Sequence, residues 1–285
     1  MPELPEVETV ARGLQRDIAG HVIESTTLFR PNLRIPFPEN FREAIKSKRI
    51  NTVSRRAKYL LFELEDSQLI IAHLGMSGSF RVLNDIPNET QKHDHVMMTL
   101  SPRKTLIYHD PRRFGLITLG HKETLHEHVL FKDIGPEPFS QDFSPEYLVE
   151  ALSKRKTAIK PTLLDQKLVA GVGNIYASEA LFRCNIHPET PSYHITDRAC
   201  DLVIAIQDVL KAAVKSGGST LRNYIQTTGE NGYFQHQFNV YDRGGESCFV
   251  CGCTIEKIIQ SARTTYFCPS CQCKEKNTKK RKKSA

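Results

Sequence analysis

Four cysteines constrain this chain more than any other feature: Cys248-x2-Cys251-x16-Cys268-x2-Cys271. Two close pairs, each able to sit at a turn, place four thiolates tetrahedrally around a single zinc ion. A closed site of four thiolates leaves no open position for a catalytic water, so this zinc is read as structural. It would fold a hairpin too short to bury a core of its own. The opposing reading, two disulfides, needs an oxidising compartment. Here the chain opens Met1-Pro2-Glu3-Leu4-Pro5-Glu6, with acids where a secretory signal carries positive charge, and no apolar stretch follows. Cys253 and Cys273 lie two residues beyond the second ligand of each pair and compete for the metal, but the symmetric spacing favours the four named. Cys184 and Cys200 read as buried thiols.

Upstream of this unit the periodicity changes twice. Val7, Val10, Leu14 and Ile18 recur at helical spacing, with Pro5 suited to a first turn and Gly20 to a stop. From about Glu24 to Ile134 the chain turns to short β-rich runs, including Tyr59–Leu64, Leu69–Ala72, His95–Leu100 and Leu106–Tyr108. Turn residues separate them, which argues for an antiparallel sandwich or barrel. Gly135-Pro136-Glu137-Pro138 marks a break. Helical patterns follow over Tyr147–Leu152, Ala158–Leu168, Ile175–Arg183 and Asp197–Val214, then a Gly-rich stretch from Thr227 to Gly232. The fold class is therefore α+β with several domains. No run of 18 apolar residues occurs, so no membrane span is expected.

The formal charge of +7 hints at a nucleic-acid partner, but its distribution matters. The tail from Lys274 to Ala285 holds seven basic residues and one acid, which leaves the body close to neutral. Such a tail reads as a solvated arm that adds salt-dependent attraction to DNA. Within the body, Lys46, Lys48, Arg49, Arg55, Arg56 and Lys58 cluster without an intervening acid. Arg103-Lys104, Arg112-Arg113 and Lys154-Arg155-Lys156 follow, and together they point to one positive face.

Pro2 is small enough for removal of Met1 to be expected, exposing a secondary amine. An α-amino group titrates near ~8 against ~10.4 for lysine, so its free-base fraction at neutral pH is on the order of a hundred times larger. A free amine attacks a carbonyl-like carbon to form an iminium. Glu3 lies beside it and Glu6 one turn later; either carboxyl would need a raised pKa to act as a general acid. By itself the motif reads first as a plain helix start.

The opening Pro2-Glu3-Leu4-Pro5-Glu6-Val7-Glu8-Thr9 resembles that of the bacterial formamidopyrimidine-DNA glycosylases, within the formamidopyrimidine-DNA glycosylase/endonuclease VIII family. The likeness continues through Arg55–Leu60, His73–Gly78, Asp110–Gly115, Lys156–Pro161, Gly171–Ala177 and the four cysteines, in family order. The resemblance implies an N-terminal helix plus antiparallel β-sandwich over 1–135, and a helical helix-two-turn-helix domain over 136–240. A zinc finger over 241–273 and a basic tail over 274–285 complete it. It implies a base-excision enzyme for oxidised purines in damaged double-stranded DNA, acting as a monomer with one structural zinc ion and no organic cofactor. Pro2 would attack C1′ and Glu3 would protonate the deoxyribose ring oxygen, with Glu6 supporting that site. Lys58, His73, Asn174 and Arg263 would hold phosphates, with Lys156 among the DNA contacts. Met76, Arg112 and Phe114 would fill the space left by a flipped nucleotide, and Thr227–Phe234 matches a lesion-recognition loop. Asn174 also reads as the N-cap of a helix whose free N–H groups make a phosphate site. A bacterial, nucleoid-associated cytoplasmic location is expected, although the basic tail runs further than is usual in the family.

Two rivals stand beside this reading. An endonuclease VIII-type enzyme would prefer oxidised pyrimidines. A non-catalytic zinc-containing DNA-binding protein would explain the cysteines and basic clusters, but not the carboxylates beside a potential free amine.

Overall fold

The computed structural model describes residues 1–219 and 237–274. The expected lesion-recognition loop at 227–234 and the basic tail beyond Lys274 lie outside the described residues.

Helix α1 (Leu4–Ile18) forms where the periodicity places it, and Gly20 follows it in the left-handed region (φ 84°). Val7, Val10, Leu14 and Ile18 enter one core, whereas Leu4 enters another. The first of these cores lies between two four-stranded antiparallel sheets. One has the order β1 (Val22–Leu28), β6 (Asp94–Ser101), β7 (Lys104–His109), β5 (Ser79–Leu83). The other has the order β2 (Ile50–Arg56), β3 (Tyr59–Leu64), β4 (Gln68–His73), β8 (Leu116–His121). A short helix α2 (Phe41–Ile45) separates β1 from β2. Strand β6 alternates, with Val96, Met98 and Leu100 inward. Strand β3 does not: Leu60 and Phe62 face the central core while Leu61 packs outward with Leu69, Ile71 and Phe131. A strand covered on both faces reads as a continuous apolar run.

The Gly135–Pro138 break is stapled rather than loose. The Glu137 carboxylate takes Arg55 Nη1 (2.7 Å), Arg56 Nη1 (2.8 Å) and the Ala57 N–H (2.7 Å), while Gly135 N–H donates to Gln166 O. Beyond it come α3 (Pro145–Leu152), α4 (Ile159–Leu163), α5 (Asn174–Arg183) and α6 (Ala199–Lys215), around the core that Leu4 joins. Helix α4 is shorter than the expected Ala158–Leu168, because Leu168 N–H turns back onto Asp165 O.

The last unit is a hairpin, β9 (Glu256–Gln260) and β10 (Arg263–Phe267), beside the cysteines. Ser261 and Ala262 turn it with φ of 48° and 59°, the two-residue geometry that matches strand twist. Glu179 of α5 is buried and anchors the approach to this unit. Its carboxylate accepts Asn239 N–H, Asn239 Nδ2, Val240 N–H and Tyr241 N–H at 2.8–3.0 Å. Glu179→Ala would strand the buried Val240 N–H and is expected to cost about 3 kcal/mol. Chemical denaturation of the full chain checks this; an unfolding free energy within about 0.5 kcal/mol of wild type, the usual range for a neutral surface change, contradicts the anchor role.

Candidate active site and metal centre

The first turn of α1 meets the start of α5 where the two cores adjoin. Leu4 N–H donates to Gly171 O (3.1 Å), which lays residues 2–6 against the Gly171-Val172-Gly173 turn. The glycines are required by closeness. A Cβ on Gly171, whose φ is +80°, would lie 2.7 Å from Leu4 Cβ, and one on Gly173 would collide with the Glu3 carboxyl. Glu3, 3 % exposed, accepts Ile175 N–H (3.0 Å) and, at the longer 3.5 Å, Tyr176 N–H. A carboxylate thus occupies the anion position that a helix N-terminus offers. Gly173, not Asn174, is the N-cap of α5. Asn174 is displaced from that role because its side chain bonds Lys160 Nζ (2.7 Å) and Thr264 O (2.9 Å).

Burial raises the pKa of Glu3, and the Glu6 charge adds to this; Lys58 and the two α5 N–H groups pull the other way. Glu6 is equally buried and accepts the Glu3 N–H (2.8 Å). Pro2, between exposed Met1 and Glu3, is buried. Lys58 is only 7 % exposed and donates to Val172 O (3.0 Å). Its burial, reinforced by Arg263, lowers its pKa against the pull of Glu3 and Glu6. The site therefore combines a carboxyl whose pKa is raised with an amine less basic than a free lysine, one residue from Pro2 in the chain or packed against the same turn.

Lys160 was missed from the sequence. It is 1 % exposed, bonds Asn174 Oδ1, Thr265 Oγ1 (2.7 Å) and Thr264 O (3.4 Å), and its pKa falls to about 8, chiefly through burial. Its signal was present: it sits between apolar Ile159 and Pro161 in an apolar helix, where a solvated lysine has no reason to be. Lys156, which sequence reading did select, is exposed four residues earlier. Arg263 is exposed at the start of β10, next to the hairpin turn.

Met76, Arg112 and Phe114 come together on two turns clamped to each other. Asp110, with no exposed surface, accepts Ser77 Oγ (2.6 Å), Gly115 N–H (2.9 Å) and Tyr108 Oη (3.3 Å), while Ser77 Oγ accepts Arg112 N–H (3.1 Å). Met76 is 40 % and Phe114 46 % exposed, and the Arg112 guanidinium lies over the Phe114 ring at 4.8 Å. His73, opposite Tyr59 in the sheet, accepts the Gly75 N–H on Nδ1 (2.9 Å). Burial, with Arg34 and Lys58 nearby, lowers its pKa to about 4, so at neutral pH it offers a neutral Nε2–H rather than a charge.

Most of the basic cluster between Lys46 and Lys58 is engaged within the fold rather than free. Arg55 and Arg56 are paired with Glu8 and Glu137, Lys48 with Asp66, Arg49 Nη1 donates to Gly20 O, and Lys58 is buried. Sequence clustering counted charges whose partners come from distant segments.

Cys248, Cys251, Cys268 and Cys271 bring their sulfurs within 4.8 Å of one another, with 3.9 Å between the first and last and 3.4 Å between the middle two. Four sulfurs each about 2.3 Å from a shared zinc would lie at about this separation, so the donor set fits. Cys253 and Cys273 are outside the cluster and exposed. Cys200, expected buried, is exposed, because it sits on the outer side of the first turn of α6.

Comparison with known proteins places this geometry. Residues 1–117 match the family model of the formamidopyrimidine-DNA glycosylase N-terminal domain, and residues 134–224 that of the formamidopyrimidine-DNA glycosylase H2TH domain. The chain is 46 % identical to the formamidopyrimidine-DNA glycosylase of Bartonella henselae and 44 % to that of Sinorhizobium medicae, across 95 % of this chain and the whole of each relative. Among solved structures, a Lactococcus lactis Fpg variant in complex with Fapy-dG-containing DNA superposes with a TM-score of 0.89 at 40 % identity, covering 96 % of this chain and all of that one. MutM in complex with carbocyclic 8-oxo-G-containing DNA gives 0.87 at 40 % identity, with coverage of 96 % and 100 %. With two family models covering most of its length and relatives matched from end to end, the chain belongs to the formamidopyrimidine-DNA glycosylase family.

Proposed function

We propose that this chain excises oxidised purines from duplex DNA in base-excision repair and then cleaves the strand, with the Pro2 amine as nucleophile. The observation that carries the mechanism is the Glu3 carboxyl, buried with a raised pKa and fixed one residue from Pro2 on the N-terminus of α5. Relatives crystallised with Fapy-dG and carbocyclic 8-oxo-G support an oxidised purine as the substrate, and one with abasic-site DNA supports the lyase step.

In this reading the free amine attacks C1′ of the damaged nucleoside as Glu3 donates its proton to the deoxyribose ring oxygen. The C1′–base bond breaks with its electrons leaving on the base, which takes up the amine proton, and the C1′–O4′ bond opens onto the proton from Glu3, leaving an iminium between C1′ and the Pro2 nitrogen. The resulting iminium acidifies the neighbouring C–H, and β- then δ-elimination release the strand ends, leaving a one-nucleotide gap. Lys58 and Asn174 lie at the turn that holds Glu3, and Asn174 bonds Thr264 O beside Arg263; these three would hold phosphates on either side of the lesion. His73 would donate from Nε2, and Lys156 would act from the exposed rim. Met76, Arg112 and Phe114 would occupy the vacated stack, with apolar and aromatic groups replacing lost stacking. Zinc is the metal proposed for the four cysteines; it would supply no chemistry to the reaction and would fix the hairpin that presents Arg263.

Three outcomes are expected. Borohydride should trap the protein covalently on duplexes carrying 8-oxoguanine far more readily than on those carrying thymine glycol. An extra residue ahead of Pro2 should abolish trapping while DNA affinity stays within about threefold, a loss of roughly 0.7 kcal/mol. Efficient trapping by the blocked protein, or preference for the pyrimidine lesion, would sink the assignment. The pH profile of single-turnover excision should have two limbs. The rate needs the amine free and Glu3 protonated, so it rises with pH up to the lower of their two pKa values and falls above the higher, and the raised pKa of Glu3 sets the two breaks closer together than an exposed carboxyl would. Glu3→Gln should remove the falling limb together with at least about 100-fold of the rate, the scale of one general acid. Finally, Cys251→Ser should lower bound zinc well below one ion per chain, whereas Cys253→Ser should leave it at one; equal losses would contradict the ligand set.

A further inference from the structure

The two carboxylate oxygens of Glu6 have different duties. Oε2 accepts the N–H of Glu3, the residue bonded directly to Pro2, at 2.8 Å. Oε1 accepts three other donors: Tyr176 Oη (2.5 Å), Ser219 N–H (2.9 Å) and Ser219 Oγ (2.8 Å). These donors come from separate parts of the fold. Tyr176 stands on α5, and Ser219 follows α6 by a turn through Gly217 and Gly218. Gly218 adopts φ +82°, and a Cβ there would lie 3.1 Å from Glu6 Oε1, so glycine permits the approach.

The terminal torsion of a glutamate is broad and nearly two-fold, so a buried carboxylate does not orient itself. Three donors converging on one oxygen select one orientation. We infer that Tyr176 and Ser219 are positioning residues of the excision reaction: by holding Glu6 Oε1 they keep Oε2 on the Glu3 N–H, and so fix the backbone that carries the Pro2 amine. Neither side chain needs to touch DNA for this. The inference rests on the Pro2 reading above and extends it to residues from the helical part of the chain.

The chemistry of Tyr176 suits a donor and not a proton relay. It is 1 % exposed, and burial, with the Glu6 charge beside it, raises its pKa well above that of a free phenol. Its hydroxyl therefore keeps its proton throughout the working range. The same residue also presents its backbone N–H to Glu3 Oε2 at 3.5 Å, so one residue of α5 steadies both Glu3, the N-cap of α1, and Glu6 in its first turn. Because a displacement of the reacting groups by about 1 Å can cost on the order of 100-fold in rate, loosening this arrangement should be visible in the chemical step.

The test is a double-mutant cycle in single-turnover kinetics on 8-oxoguanine and abasic duplexes. Tyr176→Phe keeps the ring and removes only the donor. It is expected to slow both excision and borohydride trapping by about tenfold, with DNA Kd within about twofold and zinc content unchanged. Ser219→Ala should slow them by about threefold, since the Ser219 N–H remains. Glu6→Gln replaces one oxygen with a donor and breaks the link to the Glu3 N–H, so adding Tyr176→Phe or Ser219→Ala to it should bring no further loss. Wild-type rates in Tyr176→Phe, a loss confined to Kd, or effects that multiply with Glu6→Gln would overturn the inference. If Tyr176→Phe does not fold, Ser219→Ala in the same cycle decides it. Failure of the wild type itself to trap would overturn the Pro2 reading instead, which keeps the two failures apart.

Discussion

The seating of Glu3 on the N-terminus of α5 is the contact on which the rest of the arrangement depends. It brings a residue of the β-rich half onto a helix of the other half, and it does so inside protein, where a carboxylate is costly unless its oxygens are satisfied. The α5 N–H groups satisfy them, Lys58 lies close, and Leu4 fixes the approach by entering the helical core. Removing any of these would leave a buried carboxyl with fewer partners. The site is thus a by-product of how two cores close on one helix.

Electrostatics here is managed by burial more than by net charge. Lys58 and Lys160 are cations with almost no exposed surface, held by carbonyl, amide and hydroxyl oxygens of neighbouring segments. Many of the exposed basic side chains instead pair locally, as Arg12 does with Glu8 or Arg198 with Asp201, and such pairs contribute little. A protein in the DNA-binding class can therefore carry a nearly neutral body.

Much of the architecture was legible in the sequence. The period of α1, the apolar strands and the cysteine spacing each reflect a local rule, and each appears where that rule puts it. The resemblance pointed to segments that the fold sets side by side: Glu3, Lys58 and Asn174 meet at one turn, and Asn174 bonds the residue next to Arg263. What could not be read was partnership across the chain. Asn174 looked like an N-cap because its own neighbourhood fits one, yet Lys160 and Thr264 claim its side chain. Arg55 and Arg56 looked free because Glu137 lies some 80 positions away. Cys200 looked buried because cysteine usually is, while the helix happened to turn it outward. These are tertiary decisions, and no window of local sequence contains them.

Gly171 and Gly173 carry a last consequence, for how freely sequences of this kind can vary. At an ordinary turn a glycine is replaced at a modest conformational cost, and a compensating change can arise nearby. Here the space a methyl group would need is filled by Leu4 and by the Glu3 carboxyl, from the far end of the chain. Relief would require shortening side chains that the first turn of α1 needs for its own seating. The two positions are therefore locked to the amino-terminal residues as a unit, and drift at either end is halted by the other.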